Sequence, residues 1–225
     1  MNRLIWISLV SALALASSAC TPHVSGNGVL GEEQRTVGPF TGVDISLGAE
    51  AAITANASSQ KLTISVDENL LQYIRTPVES GVLETRLGGI TGIDSIHPLR
   101  LVAQAKVLDY VRATEAANVD VKGAGDSKPD FTFEVVAAGL SYVQLAGPGG
   151  DRLEVTLSGG SRLDAWSYPV TGASVALTGG STLRVNSSGD VVGTAADTSL
   201  VEITGGGTCA ALVLSGAATC TRSPP

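Results

Sequence analysis

The chain has 225 residues and a formal net charge of −7, and only 16% of its residues are charged. Hydrophobic residues make up 44% but aromatic residues only 4%, so the core must consist of thin layers of Val, Leu, Ile and Ala. Together with 27 glycines, this composition favours short β-strands and many turns. The acidic chain has no Lys/Arg cluster for phosphate binding, so we expect no nucleic acid partner.

The first 19 residues are predicted to be a signal peptide of the lipoprotein type. One positive charge precedes an apolar run over 4–15, which is too short for a permanent transmembrane helix. Small residues precede Cys20 as in a bacterial lipobox, so Cys20 is predicted to be lipidated and to anchor the protein at the cell envelope. Thr21 is not the Asp associated with inner-membrane retention, which favours the outer membrane. Simple cleavage without lipidation is the alternative.

Residues 20–38 are rich in glycine and polar residues, and they predict a tether and the start of the first strand. A single domain is predicted over 39–222. Its N-terminal half contains irregularly spaced segments with strand-like alternation, such as "TGVDISLG" and "KLTISV". "DENLLQYI" at 67–74 predicts a short helical turn at one end or side of the domain.

From about residue 118 the chain repeats with a period near 20. "LSGGSRLDA" at 157–165 returns as "LTGGSTLRV" at 177–185. Second strands are aligned in the same way: Val155-Thr-Leu157, Val175-Ala-Leu177, Val192-Gly-Thr194 and Leu212-Val-Leu214. A fixed period with short alternating strands is typical of a solenoid, since one such unit is too small to bury its own apolar face. The sequence therefore predicts an all-β, single-stranded, right-handed parallel β-helix.

Stacking the repeats predicts three columns of side chains. The inward aliphatic column is Val143, Leu163, Leu183 and Val201. A small polar column at the corner is Ser141, Ser161, Ser181 and Ser199. The outward column is Gln144, Asp164, Arg184 and Glu202. The outward column is either a binding stripe or a ladder of solvated charges, and exposed pairs of this kind contribute only tenths of a kcal/mol each.

Residues 40–87 resemble the bacterial head GIN domain, also called putative auto-transporter adhesin. The similarity lies in a Phe-led "FTGVDISLG", then "DENLLQYI", then "SGVLETRL". This resemblance implies a right-handed parallel β-helix with a signal or lipoprotein leader and no established enzymatic activity.

The remaining cysteines, Cys209 and Cys220, form an even pair if Cys20 carries lipid. In an oxidising compartment a disulfide between them would clamp the last coil of the solenoid. Two free buried thiols are the alternative.

Trp166 and Tyr168, in "DAWSYPV", are the candidate ligand-contacting residues. With Leu163 and Ala165 inward, strict alternation predicts that both rings point outward near a corner, where they could stack on a sugar or a partner protein. The alternative is that the rings cover the turn before Pro169.

No catalytic residue, metal site or cofactor is predicted. The outward acids Asp120, Asp164 and Glu202 are separated by Gln144 and Arg184, so no two acids are expected on adjacent coils. His23 and His97 are far apart in sequence, and the cysteine spacing is not that of a zinc site.

The sequence thus predicts a non-enzymatic, lipid-anchored envelope protein that presents a binding or structural surface to a glycan or an envelope protein. A carbohydrate-active lyase or hydrolase on the same scaffold and an accessory factor in envelope assembly or signalling are the alternatives.

Overall fold

The computed structural model describes residues 22–126 and 130–223. The predicted signal peptide and Cys20 lie outside the described residues. The fold is an all-β solenoid with a period of about 20 residues, which confirms the predicted fold class. In the described part of the chain, no helix is long and apolar enough to span a bilayer.

The N-terminal half contains β1 (His23–Ser25), β2 (Leu30–Arg35), β3 (Gly42–Ile45), β4 (Glu50–Thr54), β5 (Lys61–Asp67), a 3-10 helix (Glu68–Tyr73), β6 (Ile74–Arg75), β7 (Val78–Glu79), β8 (Val82–Glu84), β9 (Arg86–Leu87), β10 (Gly92–Asp94) and β11 (Arg100–Gln104).

The C-terminal half contains β12 (Tyr110–Ala113), β13 (Asn118–Lys122), β14 (Thr132–Ala137), β15 (Tyr142–Ala146), β16 (Gly150–Leu157), β17 (Arg162–Leu177), β18 (Thr182–Ser187), β19 (Val191–Ala195), β20 (Leu200–Thr204), β21 (Leu212–Leu214) and β22 (Thr219–Arg222).

Each coil of the solenoid contributes one strand to each of two parallel stacks. The first stack runs β8, β3, β12, β14, β16, the C-terminal half of β17, β19 and β21. The second stack runs β11, β4, β13, β15, the N-terminal half of β17, β18, β20 and β22. The aliphatic core lies between the two stacks, because alternate residues of every strand point inward.

The predicted aliphatic column is confirmed. Val143 pairs with Leu163, Leu163 with Leu183 and Leu183 with Val201, and all four are fully buried. The serine column is buried beside it. The hydroxyls of Ser141 and Ser181 each donate to the carbonyl oxygen three residues earlier, at 2.7 Å. Ser161 makes the same bond to Ser158 at 2.8 Å, so these three buried hydroxyls are satisfied within their own corners. The buried Ser199 hydroxyl has no hydrogen-bond partner among the described residues.

The corners before Ser141, Ser161 and Ser181 are tight turns with two left-handed residues, and the corner before Ser199 has one, Asp197. At Gly179 and Gly180 the φ angles are 66° and 75°, and the preceding coil repeats this at Gly159 and Gly160. Positive φ at both central positions defines a type I′ turn, which glycine adopts without steric cost. The repeated "GGS" therefore encodes a corner. In one coil the two corner positions are Glu115 and Ala116, whose φ angles are also positive. This corner therefore contains no glycine pair from which the repeat could be recognised in the sequence.

The alignment of Val192-Gly-Thr194 with its neighbours is wrong by one residue. Val175 pairs with Gly193, and Val192 is exposed, whereas Val191 and Ala195 are buried. The coil containing these residues is shorter than the two before it. The apolar side chain of Val192 therefore suggests an inward position in the sequence, although it lies on the outer face.

The chain does not fill the coils in sequence order at its N-terminal end. The coil made of β3 and β4 lies between the coil of β8 and β11 and the coil of β12 and β13. After β4 the chain therefore turns back to build the end of the solenoid, and then returns past the first coil to reach β12. This order explains why the N-terminal half shows no fixed period in its sequence.

A cap closes this end of the solenoid. β5 lies antiparallel to β11, and β2 lies antiparallel to β5. The predicted helical turn is confirmed as the 3-10 helix, which buries Leu70. Much of the segment expected to be a tether is ordered, because β1 pairs with β10 and β2 forms the outer strand of the cap.

Asp67 connects the loops of the cap. Its fully buried side chain accepts backbone hydrogen bonds from Gly28 at 2.9 Å, Ile96 at 2.7 Å and His97 at 3.1 Å. Burial alone would raise the pKa of this carboxyl, but the three N–H donors favour the charged form and hold its pKa below the usual value.

We expect Asp67→Asn to destabilise the protein at neutral pH, with the deficit shrinking in acid. Because the pKa of Asp67 is lower in the folded protein than in the unfolded chain, its ionised carboxyl stabilises the fold. This stabilisation is fully present above the unfolded-state pKa, near 3.8, and is lost as the pH falls through the folded-state pKa. The difference in thermal midpoint between wild type and variant, measured from pH 7 down to pH 3, should therefore narrow below about pH 4. A constant difference across this range would contradict the assigned role.

Candidate functional site

The outer face of the second stack carries a group of aromatic and charged side chains, which we name the Trp166 patch. Its members are Tyr142, Arg162, Asp164, Trp166, Arg184 and Glu202. Tyr142 pairs with Arg162 across adjacent strands, and the guanidinium of Arg162 lies 5.8 Å from the Tyr142 ring centroid. Five of the six side chains project from paired strand positions, so the backbone ladder sets their spacing, and Trp166 lies beside them in β17.

Arg184 lies at the centre of the patch. Its Nε lies 2.5 Å from a carboxylate oxygen of Glu202, and its Nη1 lies 3.8 Å from Asp164. Its guanidinium also lies 4.9 Å from the Trp166 ring centroid, within the range of a cation–π interaction. The hydrogen bond to Glu202 raises the pKa of Arg184. The predicted order of Arg184 between two acids is thus present, and the Trp166 indole lies against the same guanidinium.

Trp166 begins a bulge in β17. Ala165 pairs with Val185 and Pro169 pairs with Asn186, so residues 166–168 have no partners in β18. The Trp166 backbone N–H donates to the Asp164 carboxylate of the same strand at 3.3 Å, and the Asn186 side-chain amide of β18 donates to the Trp166 carbonyl oxygen at 3.3 Å. The second of these bonds holds the backbone of the bulge against β18, and Trp166, which is 38% exposed, lies at the surface.

The expectation that Tyr168 points outward is wrong. Its side chain is fully buried and packs edge-on against Phe133, with 5.7 Å between the ring centroids. Alternation along β17 is broken by the bulge, because two consecutive residues face solvent before the chain turns inward again. Tyr168 is thus a core residue beneath the bulge, and of the two rings only that of Trp166 is exposed to solvent.

The hydroxyl of Tyr168 has no hydrogen-bond partner among the described residues. Burial raises the pKa of this phenol, so it stays neutral, but its unpaired O–H still carries a desolvation cost. We expect Tyr168→Phe to raise the free energy of unfolding by about 1 kcal/mol, because the ring contacts remain and the unpaired polar group is removed. Urea denaturation of the two proteins measures this difference. A less stable variant would show that the hydroxyl has a stabilising contact.

The outer face of the first stack contradicts the expectation that no two acids lie on adjacent coils. Glu134 pairs directly with Glu154, and both are exposed. Asp44 likewise pairs with Glu84 near the cap, where Arg112 lies 3.9 Å from Asp44. Asp120, Asp164 and Glu202 all belong to the second stack, whereas these acidic pairs are formed by strands of the first.

Glu134 and Glu154 border a shallow depression of about 230 Å³. Thr156, Ser174 and Ala176 complete its floor and rim, so small side chains surround the two carboxylates. In the described ranges, no three His, Cys, Asp or Glu residues are grouped closely enough to hold a metal ion.

Cys209 and Cys220 form a disulfide, with their Cα atoms 6.2 Å apart. Cys220 pairs with Val201 and so ends the inward column of the second stack. The bond joins the return loop after β20 to β22, which places it in the last coil. Cys20, the proposed lipid site, lies outside the described residues, so nothing in the geometry bears on it.

Comparison with known proteins places the fold in a family. The model of the family described as "Putative auto-transporter adhesin, head GIN domain" matches residues 39–207. The chain belongs to this family. The resemblance seen in residues 40–87 is therefore confirmed and extends over most of the solenoid. No curated protein matches the chain.

Solved structures share the fold of this head GIN domain. A putative adhesin from Bacteroides fragilis NCTC 9343 is 13% identical over 89% of this chain and 99% of that one, with a TM-score of 0.66. A putative adhesin from Parabacteroides merdae ATCC 43184 is 16% identical over 89% and 99%, with a TM-score of 0.52. A putative lipid binding protein from Parabacteroides distasonis ATCC 8503 is 13% identical over 90% and 100%, with a TM-score of 0.53. These TM-scores show a common fold.

Proposed function

We propose that this head GIN domain is a non-enzymatic binding module of the cell envelope that contacts a glycan or an envelope protein through the Trp166 patch. The observation that carries the proposal is the exposed indole of Trp166, held on a bulge and stacked with Arg184. Trp and Arg dominate the energetics of recognition surfaces, and a preordered side chain loses little entropy on binding. The adhesin name of the family and of the structural neighbours agrees with this role.

A glycan array and pull-down from envelope extracts test the role of the patch. We expect Trp166→Ala to weaken saturable binding about 10- to 30-fold, because a central tryptophan contributes about 1.4–2 kcal/mol or more. Trp166→Phe, which keeps an aromatic ring beside Arg184, should retain part of the affinity. Leu140→Ala is the matched control, since it removes an exposed apolar side chain from a corner outside the patch. Equal loss in Trp166→Ala and Leu140→Ala, or no saturable ligand at all, would refute the proposal.

The proposed anchor is a lipid on Cys20, with the outer membrane as its site. Membrane fractionation tests this directly, because Cys20→Ser should move the protein from the membrane pellet to the soluble fraction. The variant retains both cysteines of the disulfide, so folding serves as an internal control. Continued membrane association of Cys20→Ser would show that lipid on this residue is not the anchor.

A carbohydrate-active enzyme is the second candidate, favoured by the pairing of Glu134 with Glu154. Backbones of paired strands lie about 4.8 Å apart, and retaining glycosidases place their two carboxyls about 5–5.5 Å apart. The shallow floor and the exposure of both acids support binding over catalysis, because catalytic sites are concave and enclose most of the substrate. Hydrolysis of an envelope polysaccharide that disappears in both Glu134→Gln and Glu154→Gln would establish the enzyme.

A further inference from the structure

A cleft of about 910 Å³ opens beside the cap, at the opposite end of the molecule from the disulfide. Three arginines line it: Arg35 from β2, Arg75 from β6 and Arg86 from β9. Glu33 is the acidic residue of its lining. An excess of positive charge in this one cleft is unexpected in a chain whose net charge is −7.

Arg35 forms a fixed wall of the cleft. Its Nη1 donates to the Ile74 carbonyl oxygen at 2.6 Å and to the Thr76 hydroxyl at 3.2 Å. Its Nη2 donates to the Leu71 carbonyl oxygen and to Glu33, both at 2.9 Å. The side chain is only 15% exposed, so Arg35 joins β2 to the segment that carries Arg75 and holds the cleft open in one shape.

Arg75 and Arg86 are paired directly across the short antiparallel ladder of β6 and β9. Like charges at opposed positions destabilise a ladder. Glu79 compensates Arg86 through two hydrogen bonds of 2.9 and 3.0 Å, and Glu84 adds a further contact. Arg75 has no carboxylate within 4.0 Å in the part of the chain that the structure describes. The pairing therefore leaves one uncompensated guanidinium facing a cleft.

Gly88 provides the surface on which Arg75 lies. A Cβ atom at this position would collide with Nε and the side-chain carbons of Arg75. The Gly88 backbone N–H donates to the Tyr73 carbonyl oxygen at 2.8 Å, so this surface is tied to the end of the 3-10 helix. The missing side chain at residue 88 thus leaves the room that the Arg75 side chain occupies.

We propose that this cleft binds an acidic saccharide through its carboxylate, with Arg75 as the principal contact and Arg86 beside it. A guanidinium matches a planar carboxylate through two parallel hydrogen bonds. The half-buried Leu71 and Leu87 supply apolar surface for a sugar ring. The volume fits a ligand of oligosaccharide size, since ligand pockets measure roughly 300–1,000 Å³. The site is separate from the Trp166 patch and does not depend on it.

Calorimetric titration of the full chain, expressed with its own N-terminal segment, tests the proposal with tetragalacturonate as the probe. The fully methyl-esterified tetrasaccharide has the same rings without the charge, and we expect it not to bind. Arg75→Ala should weaken tetragalacturonate binding at least tenfold, equivalent to about 1.4 kcal/mol. Arg152→Ala, which removes one exposed arginine from the first stack, should leave the affinity unchanged. Trp166→Ala should also leave it unchanged, which separates this site from the proposed function.

Gly88→Ala keeps every charge and displaces only Arg75, so it distinguishes a shaped site from general attraction of anions. We expect it to weaken binding about as much as Arg75→Ala, while thermal unfolding shows that both variants remain folded. Equal binding of the acid and the methyl ester, unchanged binding in Arg75→Ala, or no binding to wild type would each overturn the proposal. Competition by sulfate at the same concentration as the tetrasaccharide would show a simple anion site and would overturn the saccharide assignment.

Discussion

Gly193→Ala should destabilise the protein by about 3 kcal/mol, because it adds strain and backbone overlap at an inward position. Gly193 has a φ of 117°, a conformation that L-residues with a side chain rarely adopt. A Cβ atom there would also overlap the Val175 carbonyl oxygen of the neighbouring coil, and backbone cannot move aside as a flexible side chain can. Urea denaturation followed by circular dichroism measures the loss.

Gly172→Ala is the matched control for this substitution. Gly172 also lies in the first stack, but its φ is not in the left-handed region and the nearest atom to an added Cβ is 3.8 Å away. We expect the stability of this variant to stay close to that of wild type. Similar losses in the two variants would show that glycine in a strand, rather than the overlap at residue 193, determines the effect.

Replacing both Cys209 and Cys220 by Ala should destabilise the last coil by about 3 kcal/mol, because the disulfide restricts the unfolded chain across a short loop. β21 and β22 each pair on one side only, with β19 and β20, so they have few other contacts to hold them. Amide hydrogen exchange is the appropriate measurement, since an end coil of a repeat protein can open without global unfolding.

Faster exchange should be confined to the last coil, at about residues 209–222, and protection of β15 and β17 should be unchanged. The reduced wild-type protein should behave like the double variant, which provides a control without any substitution. Uniformly faster exchange along the whole solenoid would show instead that the disulfide stabilises the molecule globally.

The sequence predicts the C-terminal solenoid well because there the chemistry of each coil repeats. Leu163 and Leu183 occupy equivalent positions, and the corner before each has the same two glycines, so one alignment assigns strand, turn and core together. The prediction fails where local geometry departs from the repeat. The bulge at 166–168 reverses the side of Tyr168, and a shorter coil shifts Val192 to the outer face.

The cap and its cleft could not be predicted from the sequence. Arg75 and Arg86 become neighbours through a two-residue ladder that has no periodic signal. Arg35 comes from a strand forty residues earlier, in a segment whose composition indicates a tether. The pairing of Glu134 with Glu154 could have been predicted from their separation of 20 residues, which equals the repeat period. That prediction would have required the register of the first stack. The Trp166 patch could be predicted in part from the sequence, because the order of Asp164, Arg184 and Glu202 follows from the repeat.

The position of the β3–β4 coil between two coils made later in the chain has a consequence for how the protein folds. During synthesis, residues 42–54 emerge before either of their neighbours, so this coil waits for 82–104 on one side and 110–122 on the other. Closing those distant pairings is slow, because chain entropy is lost before contacts compensate it. Each later coil pairs with the coil that precedes it in the chain, so it can form as soon as that coil is complete. We therefore expect the N-terminal coils to fold together, whereas the C-terminal coils should form or open one at a time.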